Sequence, residues 1–290
     1  DATNDTTVRL LRERKKRPKK PFALLVSDTQ QALTLGHFST MALTFLTSKE
    51  RPIVLVKKQF PLKISPFIAP DGDLIGLFLP YSPLHFLLLK SLSFPLVATS
   101  ANISDEPIIV DSTTLQETLG DVIDGYLDYN RDIVQSCDDS VIRCDGDIPI
   151  WIRLGRGHTP LVLPSPYQNS TLALGAGQKC TIAFNYDNHA ILSPHIGDVK
   201  TLKAHEYFSS LYHHLTTIHH FKPESIIIDK HPHYFSSQFA KTLSLPYQTI
   251  QHHKAHFYAC LSEHQQYFTP HLGIVWDGTG VGDDGLLWGG

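Results

Sequence analysis

The stretch TIQHHKAHFYAC, residues 249–260, places His252, His253 and His256 within five positions. If a helix runs over 252–264, His252 and His256 stand at i and i+4 on one face, close enough to share a divalent ion. His253 then projects roughly 100° away on the 3.6-residue period and needs separate work, such as bonding a phosphate or a carboxylate. Neutral imidazole is the commonest zinc ligand, and two imidazoles need at least one further donor. A chain with 17 histidines also makes such pairs by chance, so spacing alone leaves both a metal site and a histidine-rich helix face open.

Cations and glycines point to a second chemistry. Arg9, Arg12, Arg14, Lys15, Lys16, Arg17, Lys19 and Lys20 gather eight of the 25 basic residues just before the apolar stretch PFALLV. Such a block attracts polyanions through its summed field, or is a solvated helix end. The net charge of -3 argues against a generally basic nucleic-acid binder. Two turns, GAGQK at 175–179 and DGTGVGDDG at 277–285, are rich in glycine, whose backbone can approach and cradle phosphate oxygens. Asp277, following GIVW directly, could hold a metal ion, orient a water or simply form the turn.

These groups need elements to position them. A hydrophobic content of 42% with 18% charged residues is that of a folded chain long enough for two domains. Strands are expected at FALLVS, PIVLVK, LIGLFLP, PLVATSA, SVIR and IWIRLG, with helices at TQQALTLGHF and STTLQETLG. Alternation of this kind reads as a mixed α/β (α+β) sheet domain. The Pro/Ser-rich HTPLVLPSPYQNST reads as a linker, dividing domains 1–165 and 171–290 at residues 164–170. The second part predicts strands TLALGAG, TIAFNYD and HAILSP, a helix over 200–220, strand SIIID, a helix from 234, strand YQTIQ, the histidine helix and strand LGIVWDG. The order β-β-β-α-β-α-β-α-β is that of a ribonuclease-H-like half of an actin-like domain. No run of 18 apolar residues is present, so no membrane span is expected. Cys137, Cys144, Cys180 and Cys260 form no C-x-x-C pair and read as reduced thiols of a cytoplasmic protein. The ends, DATNDTT and LLWGG, read as cuts in a longer polypeptide.

The motifs together carry a family resemblance. RKKRPKKPFALLV, LPYSPLHFLLL, PLVATSANISDEPI, YNRDIVQSCDDSVIR and IRLGRGHTPLVLP resemble the YrdC-like nucleotidyl-transfer domain. LALGAGQK, LSPHIGD, IIIDKHPHY, QHHKAH and WDGTGVGDDGLLWGG resemble a TsaD-like domain of the actin-like ATPase superfamily. That order is similar to the hydrogenase-maturation carbamoyltransferase family HypF. Leu154 and Cys180 depart from its usual arginine and asparagine.

The resemblance implies an enzyme that is an ATP- and Mg2+-dependent, AMP-forming carbamoyltransferase. It would make carbamoyl adenylate from carbamoyl phosphate and pass the carbamoyl group to the C-terminal cysteine of a HypE-type acceptor, for cyanide ligand synthesis. It implies catalytic roles for Lys15, Arg17 and Asp277, and nucleotide contacts from Lys15, Arg17, Lys20, Thr99, Ser100, Asn102, Ser140, Arg143, Arg153 and Arg156. In the second domain it implies phosphate contacts at Gly175, Gly177, Lys179, Gly278, Thr279 and Gly280. It also implies a zinc or iron ion on His252 and His256, whose remaining carboxylate ligand is expected beyond residue 290. His195, Asp198, Asp229 and His231 are supporting or substrate-side candidates. The rival readings are threonylcarbamoyl transfer to tRNA and an RNA-binding module with a structural metal, since the YrdC-like domain suits double-stranded RNA. An O-carbamoyltransferase of small-molecule biosynthesis would carry the two domains in the reverse order.

Overall fold

The basic block is half helix and half loop. Asn4 accepts the N–H of Thr7 and caps α1 (Asp5–Arg14), which buries Val8 and Arg12. Pro18 and Pro21 bar further helix, and the chain enters β1 (Ala23–Leu25). There follow α2 (Thr29–Leu35), β2 (Gly36–His37), α3 (Thr40–Thr47), β3 (Ile53–Lys58), β4 (Leu74–Phe78) and α4 (Pro83–Lys90). The series continues with β5 (Leu96–Ala98), α5 (Ser112–Leu119), β6 (Val141–Asp145) and β7 (Ile148–Arg153). Asp28, Ser39, Ser82 and Asp111 cap α2, α3, α4 and α5 with side-chain oxygens. The computed structural model describes all 290 residues and divides them into Asp1–Thr159 and Pro160–Gly290.

The first unit is a mixed seven-stranded sheet in the order β5-β1-β4-β3-β6-β7, with β2 paired to β3. β1 with β4 and β3 with β6 run parallel; the other pairs are antiparallel. Register places Leu24, Leu77, Val54 and Ile142 side by side across four strands. All four are fully buried, so this row is the spine of the core.

In the second unit β8 (Leu161–Pro164), β9 (Thr171–Ala173), β10 (Ala183–Tyr186) and β11 (His189–Leu192) precede α6 (Leu202–Ile218). β12 (Ser225–Asp229), α7 (Phe235–Thr242), β13 (Tyr247–Ile250) and α8 (His252–Glu263) follow, then a small hairpin of β14 (Gly280–Val281) and β15 (Leu287–Trp288). The main sheet runs β13-β12-β9-β10-β11-β8, with β12 parallel to both β9 and β13. α6 buries Phe208, Leu211, Tyr212 and Leu215, the i, i+3, i+4, i+7 stripe of a core-facing helix.

Two expectations are corrected. The segment read as linker contains β8, whose Leu161–Pro164 pair with Leu192–His189. The division therefore falls at 159/160 and not at 164–170, because the alternating LVLP finds an open sheet edge. LGIVWDG is no strand: it pairs with no strand, its one bond toward the hairpin being Asp277 N–H to Gly289 O at 3.3 Å, and Leu272, Ile274 and Trp276 are 95%, 85% and 95% exposed. Its apolar residues had the right pattern but here have no ladder partner to satisfy the backbone. No helix is long and apolar enough to cross a membrane.

Candidate functional site

β12 and β13 are parallel neighbours, so their carboxyl ends open on one edge of the sheet, where ligand sites of such sheets lie. Asp229 ends β12 opposite Ile250, and two residues later His252 begins α8. Gln251 caps this helix, its Oε1 accepting the Lys254 N–H at 2.9 Å. The turn after Asp277 crosses the start of α8. A Cβ at Gly280 would lie 2.8 Å from His252 Cβ and 3.0 Å from His253 Cε1, so only glycine permits this approach.

The result is a three-donor cluster. His252 Nε2, His256 Nε2 and Asp277 Oδ2 all lie within 4.8 Å of one another. The two Nε2 atoms are 3.2 Å apart, and Asp277 Oδ2 stands 3.0 Å from the first and 3.7 Å from the second. Two imidazoles on a tetrahedral ion at ordinary zinc–nitrogen distances would have their nitrogens about 3.3 Å apart. Asp277 Oδ2 is buried and has no hydrogen-bond partner, so a carboxylate oxygen is aimed into the cluster with nothing to satisfy it. The residues fit a divalent ion. Asp277, for which holding a metal ion was one of the roles the sequence left open, reaches the histidines because its turn folds back over α8.

Asp229 orients the cluster. Its buried Oδ2 lies 2.6 Å from His252 Nδ1, while Oδ1 accepts the His231 N–H at 2.7 Å. An Nδ1–H donated to this carboxylate leaves the His252 Nε2 lone pair facing Asp277 and His256, the tautomer a metal requires. His253 is buried, its Nδ1 2.9 Å from Gln251 Nε2 and its Nε2 3.9 Å from Asp277 Oδ2. It thus braces the helix start and does not turn away from the site. The Gly278 N–H, and then His252, His256 and His253, hold the Asp277 carboxyl below the usual range.

The glycine turns are placed as follows. Gly175 adopts φ +67°, where a Cβ would press on Thr181 O at 2.6 Å, and its own carbonyl accepts from Ser236 Oγ. Gly177 lies against Tyr234, whose ring a Cβ would meet at 2.9 Å. Tyr234 stacks on His231 at 4.0 Å; burial first, then Asp229 and Asp277, push its phenol up. Tyr234 thereby joins GAGQK to the cluster side. Lys179 is exposed and gives its backbone N–H to Asp198. Gly278 and Thr279 are exposed, and the Gly278 N–H is held by Asp277 Oδ1 at 2.7 Å. His195 lies beside Gly197, 3.8 Å from where that residue's Cβ would stand. Cys180 is buried against Leu174 O, and burial pushes its thiol up to about 12, the setting of an unreactive thiol.

In the first unit Lys15, the C-cap residue of α1, reaches the loop after β5. Its Nζ donates to Ser100 O at 2.8 Å and Asn102 O at 2.7 Å, leaving one of three N–H groups for an anion. Ser100 Oγ donates to Asn102 Oδ1, and Asn102 Nδ2 to Glu106 O. Arg17 donates to Lys20 O and Pro21 O and lies over the Phe22 ring. Burial, then Arg12 and Arg153, push its guanidinium down, so three cations share one neighbourhood. Arg12, read only as part of the charge block, proves to be its brace. It is buried and donates to the carbonyls of Arg17, Pro18, Lys20, Phe67 and Ile68. Thr99, Lys20 and Arg143 are exposed.

Two rim residues have partners within the unit. Ser140 is fully buried; its hydroxyl accepts the Gly155 N–H and donates to Arg156 O. Arg156 commits Nε to Asp139, Nη1 to Glu50 O and Nη2 to Arg51 O, and lies 3.4 Å over the Tyr81 ring. Both pin the DDSVIR and LGRG segments together, a use of polar groups that one-dimensional spacing does not reveal. Arg153 is paired with Asp138 at 3.1 Å.

This fold and these sites define a YrdC-like unit followed by a Kae1-like unit. Residues 1–155 match the Sua5/YciO/YrdC family (telomere recombination), and residues 166–263 match the HypF Kae1-like domain. The chain is 39% identical to the carbamoyltransferase HypF of Synechocystis sp., covering 100% of this chain and 38% of that protein. A crystal structure of full-length HypF in the phosphate- and nucleotide-bound form superposes with a TM-score of 0.95 at 39% identity, over 100% of this chain and 46% of that one. HypF of T. kodakarensis gives a TM-score of 0.94 at 32% identity, over 100% and 38%. The chain belongs to the Sua5/YciO/YrdC family through residues 1–155 and is similar to HypF proteins along its whole length, and it spans about two fifths of the length of the curated relatives it matches.

Proposed function

We propose that this chain is the nucleotide-activating and carbamoyl-transferring part of a HypF-type carbamoyltransferase acting in the cytoplasm. Water first cleaves carbamoyl phosphate to carbamate and inorganic phosphate; a carbamate oxygen then attacks the α-phosphorus of Mg2+-ATP, the bond to the bridging oxygen of the β-phosphate breaks, and pyrophosphate leaves. The C-terminal cysteine thiolate of a HypE-type acceptor then attacks the carbamoyl carbon, and AMP leaves. The observation that carries this reading is the joint presence, in one HypF-like chain, of a cation-rich loop in the first unit and a three-donor metal cluster in the second.

Lys15 and Arg17 offer fixed positive charge to the departing pyrophosphate, stabilisation of the kind that dominates phosphoryl transfer. The Ser100–Asn102 turn, tied to Lys15, presents short polar groups to the nucleotide. In the second unit His252, His256 and Asp277 would hold zinc or iron, which when bound supplies Lewis-acid charge beside the carbamoyl adenylate. Asp229 keeps the His252 Nε2 lone pair directed at the ion. GAGQK and DGTG would meet the adenylate phosphate with N–H groups other than those of Lys179 and Gly278, which Asp198 and Asp277 hold.

The test is ATP–pyrophosphate exchange by the full-length protein, which should require carbamoyl phosphate. Lys15→Ala or Arg17→Ala should slow it by about 10²-fold or more, as when a preorganised charge contact is lost. Exchange that responds to threonine and bicarbonate instead would favour tRNA threonylcarbamoylation. Wild-type rates in both variants would remove these residues from the mechanism.

A further inference from the structure

The loop that carries Asp277 continues into the β14–β15 hairpin, which makes a second attachment to the same helix. Asp283, between the two strands, places Oδ1 2.9 Å from Lys230 Nζ and Oδ2 2.9 Å from Lys254 Nζ. The lysines come from different elements. Lys230 follows Asp229 directly, and Lys254 sits in the first turn of α8 between the cluster histidines.

We infer that the Lys230–Asp283–Lys254 clamp is a positioning device, which holds the hairpin across α8 and so keeps Asp277 against His252 and His256. The inference rests on the metal reading given above. The segment before Asp277 holds it loosely, since Leu272, Ile274 and Trp276 are almost wholly exposed, whereas the Asp277 N–H is tied to Gly289 O at the end of the hairpin at 3.3 Å. The hairpin after it is well built. Asp284 accepts from the Leu286 N–H and from Trp288 Nε1, and the Gly282 N–H donates to Leu286 O. Gly280 allows this rigid piece to seat on His252 and His253. A rigid hairpin pinned at one end by packing and at the other by two ammonium groups fixes where its entering strand, and Asp277, must lie. Both lysines lower the Asp283 carboxyl, as expected of a carboxylate shared by two cations. Asp283 and Lys254 are more than half exposed and Lys230 is 29% exposed, so the clamp's strength should fall with salt, unlike that of a buried ion pair.

The test is titration of metal-free full-length protein with cobalt(II) chloride, following the visible bands of the bound ion at low and high salt. Asp283→Asn should weaken cobalt binding about three- to tenfold at low salt, and Asp283→Glu should restore it. The paired substitution Lys230→Met with Lys254→Met should match Asp283→Asn, and adding Asp283→Asn to it should cost nothing more, since one device is removed in both cases. The wild type should lose affinity between 50 mM and about 1 M salt more steeply than Asp283→Asn. Equal affinities for wild type, Asp283→Asn and the lysine pair overturn the clamp while leaving the metal cluster standing. A wild-type protein whose cobalt bands are absent, or survive His252→Ala, overturns the cluster and the clamp with it.

Discussion

At the residue scale, the three adjacent histidines of QHHKAH have three different surroundings. His252 is held by Asp229 and faces Asp277, His256 is half exposed beside it, and His253 is buried against Gln251. Purified full-length His252→Ala and His256→Ala should therefore lose stoichiometric metal. His253→Ala should retain most of it with reduced stability, because it removes a buried group and no ligand atom. Elemental analysis of the three variants decides this, and loss of metal only from His253→Ala would mean that the helix face is assigned wrongly. Acidification from pH 7.5 to 5.5 should release the ion, since a protonated imidazole has no lone pair to offer.

At the element scale, the first unit depends on polar side chains that join segments distant in sequence. Ser140 takes the Gly155 N–H and gives its proton to Arg156 O, in a place without water. Ser140→Ala leaves a buried N–H unpaired and should cost about 1–3 kcal/mol. Chemical unfolding of the first unit should read this as a lowered midpoint with unchanged cooperativity. An unchanged midpoint would show that the hydroxyl is not the brace described here, and would reopen a contact between Ser140 and nucleotide. Most elements were legible beforehand, since PIVLVK, LIGLFLP, SIIID and the stripe of α6 carry strong periodic signals. What was illegible was the use of the charges. Arg12 reads as one cation of a charge block and Arg156 as a phosphate ligand in a string of letters, yet Arg12 is spent on backbone carbonyls and each nitrogen of Arg156 gives at least one N–H to Asp139, Glu50 O or Arg51 O.

At the scale of the whole molecule, the place where the chain divides matters for any attempt to separate its parts. β8 completes the edge of the second sheet through four residue pairs with β11. A second unit beginning at Pro160 should therefore fold better than one beginning at Thr171. The shorter version loses those pairs and leaves the apolar edge of β11 open to aggregation. Yield of monomer on size exclusion and the thermal midpoint compare the two. Equal behaviour would return the boundary to the linker-like segment 164–170.

Amino-acid order alone determined the local and the repetitive: helix and strand positions, the i, i+4 pairing of His252 with His256, the glycine turns and the sequence of two domain types. These depend on neighbours a few residues apart or on motif wording. Only the tertiary structure decided which distant groups meet. It brought Asp277 to the histidines across the 20 residues that follow His256, placed Asp229 behind His252 and set Asp283 between two lysines. It also withdrew Ser140 into the core and gave β8 to the second sheet. Each of these outcomes depends on which sheet edges adjoin and on which polar groups lose water, and neither property is local in sequence.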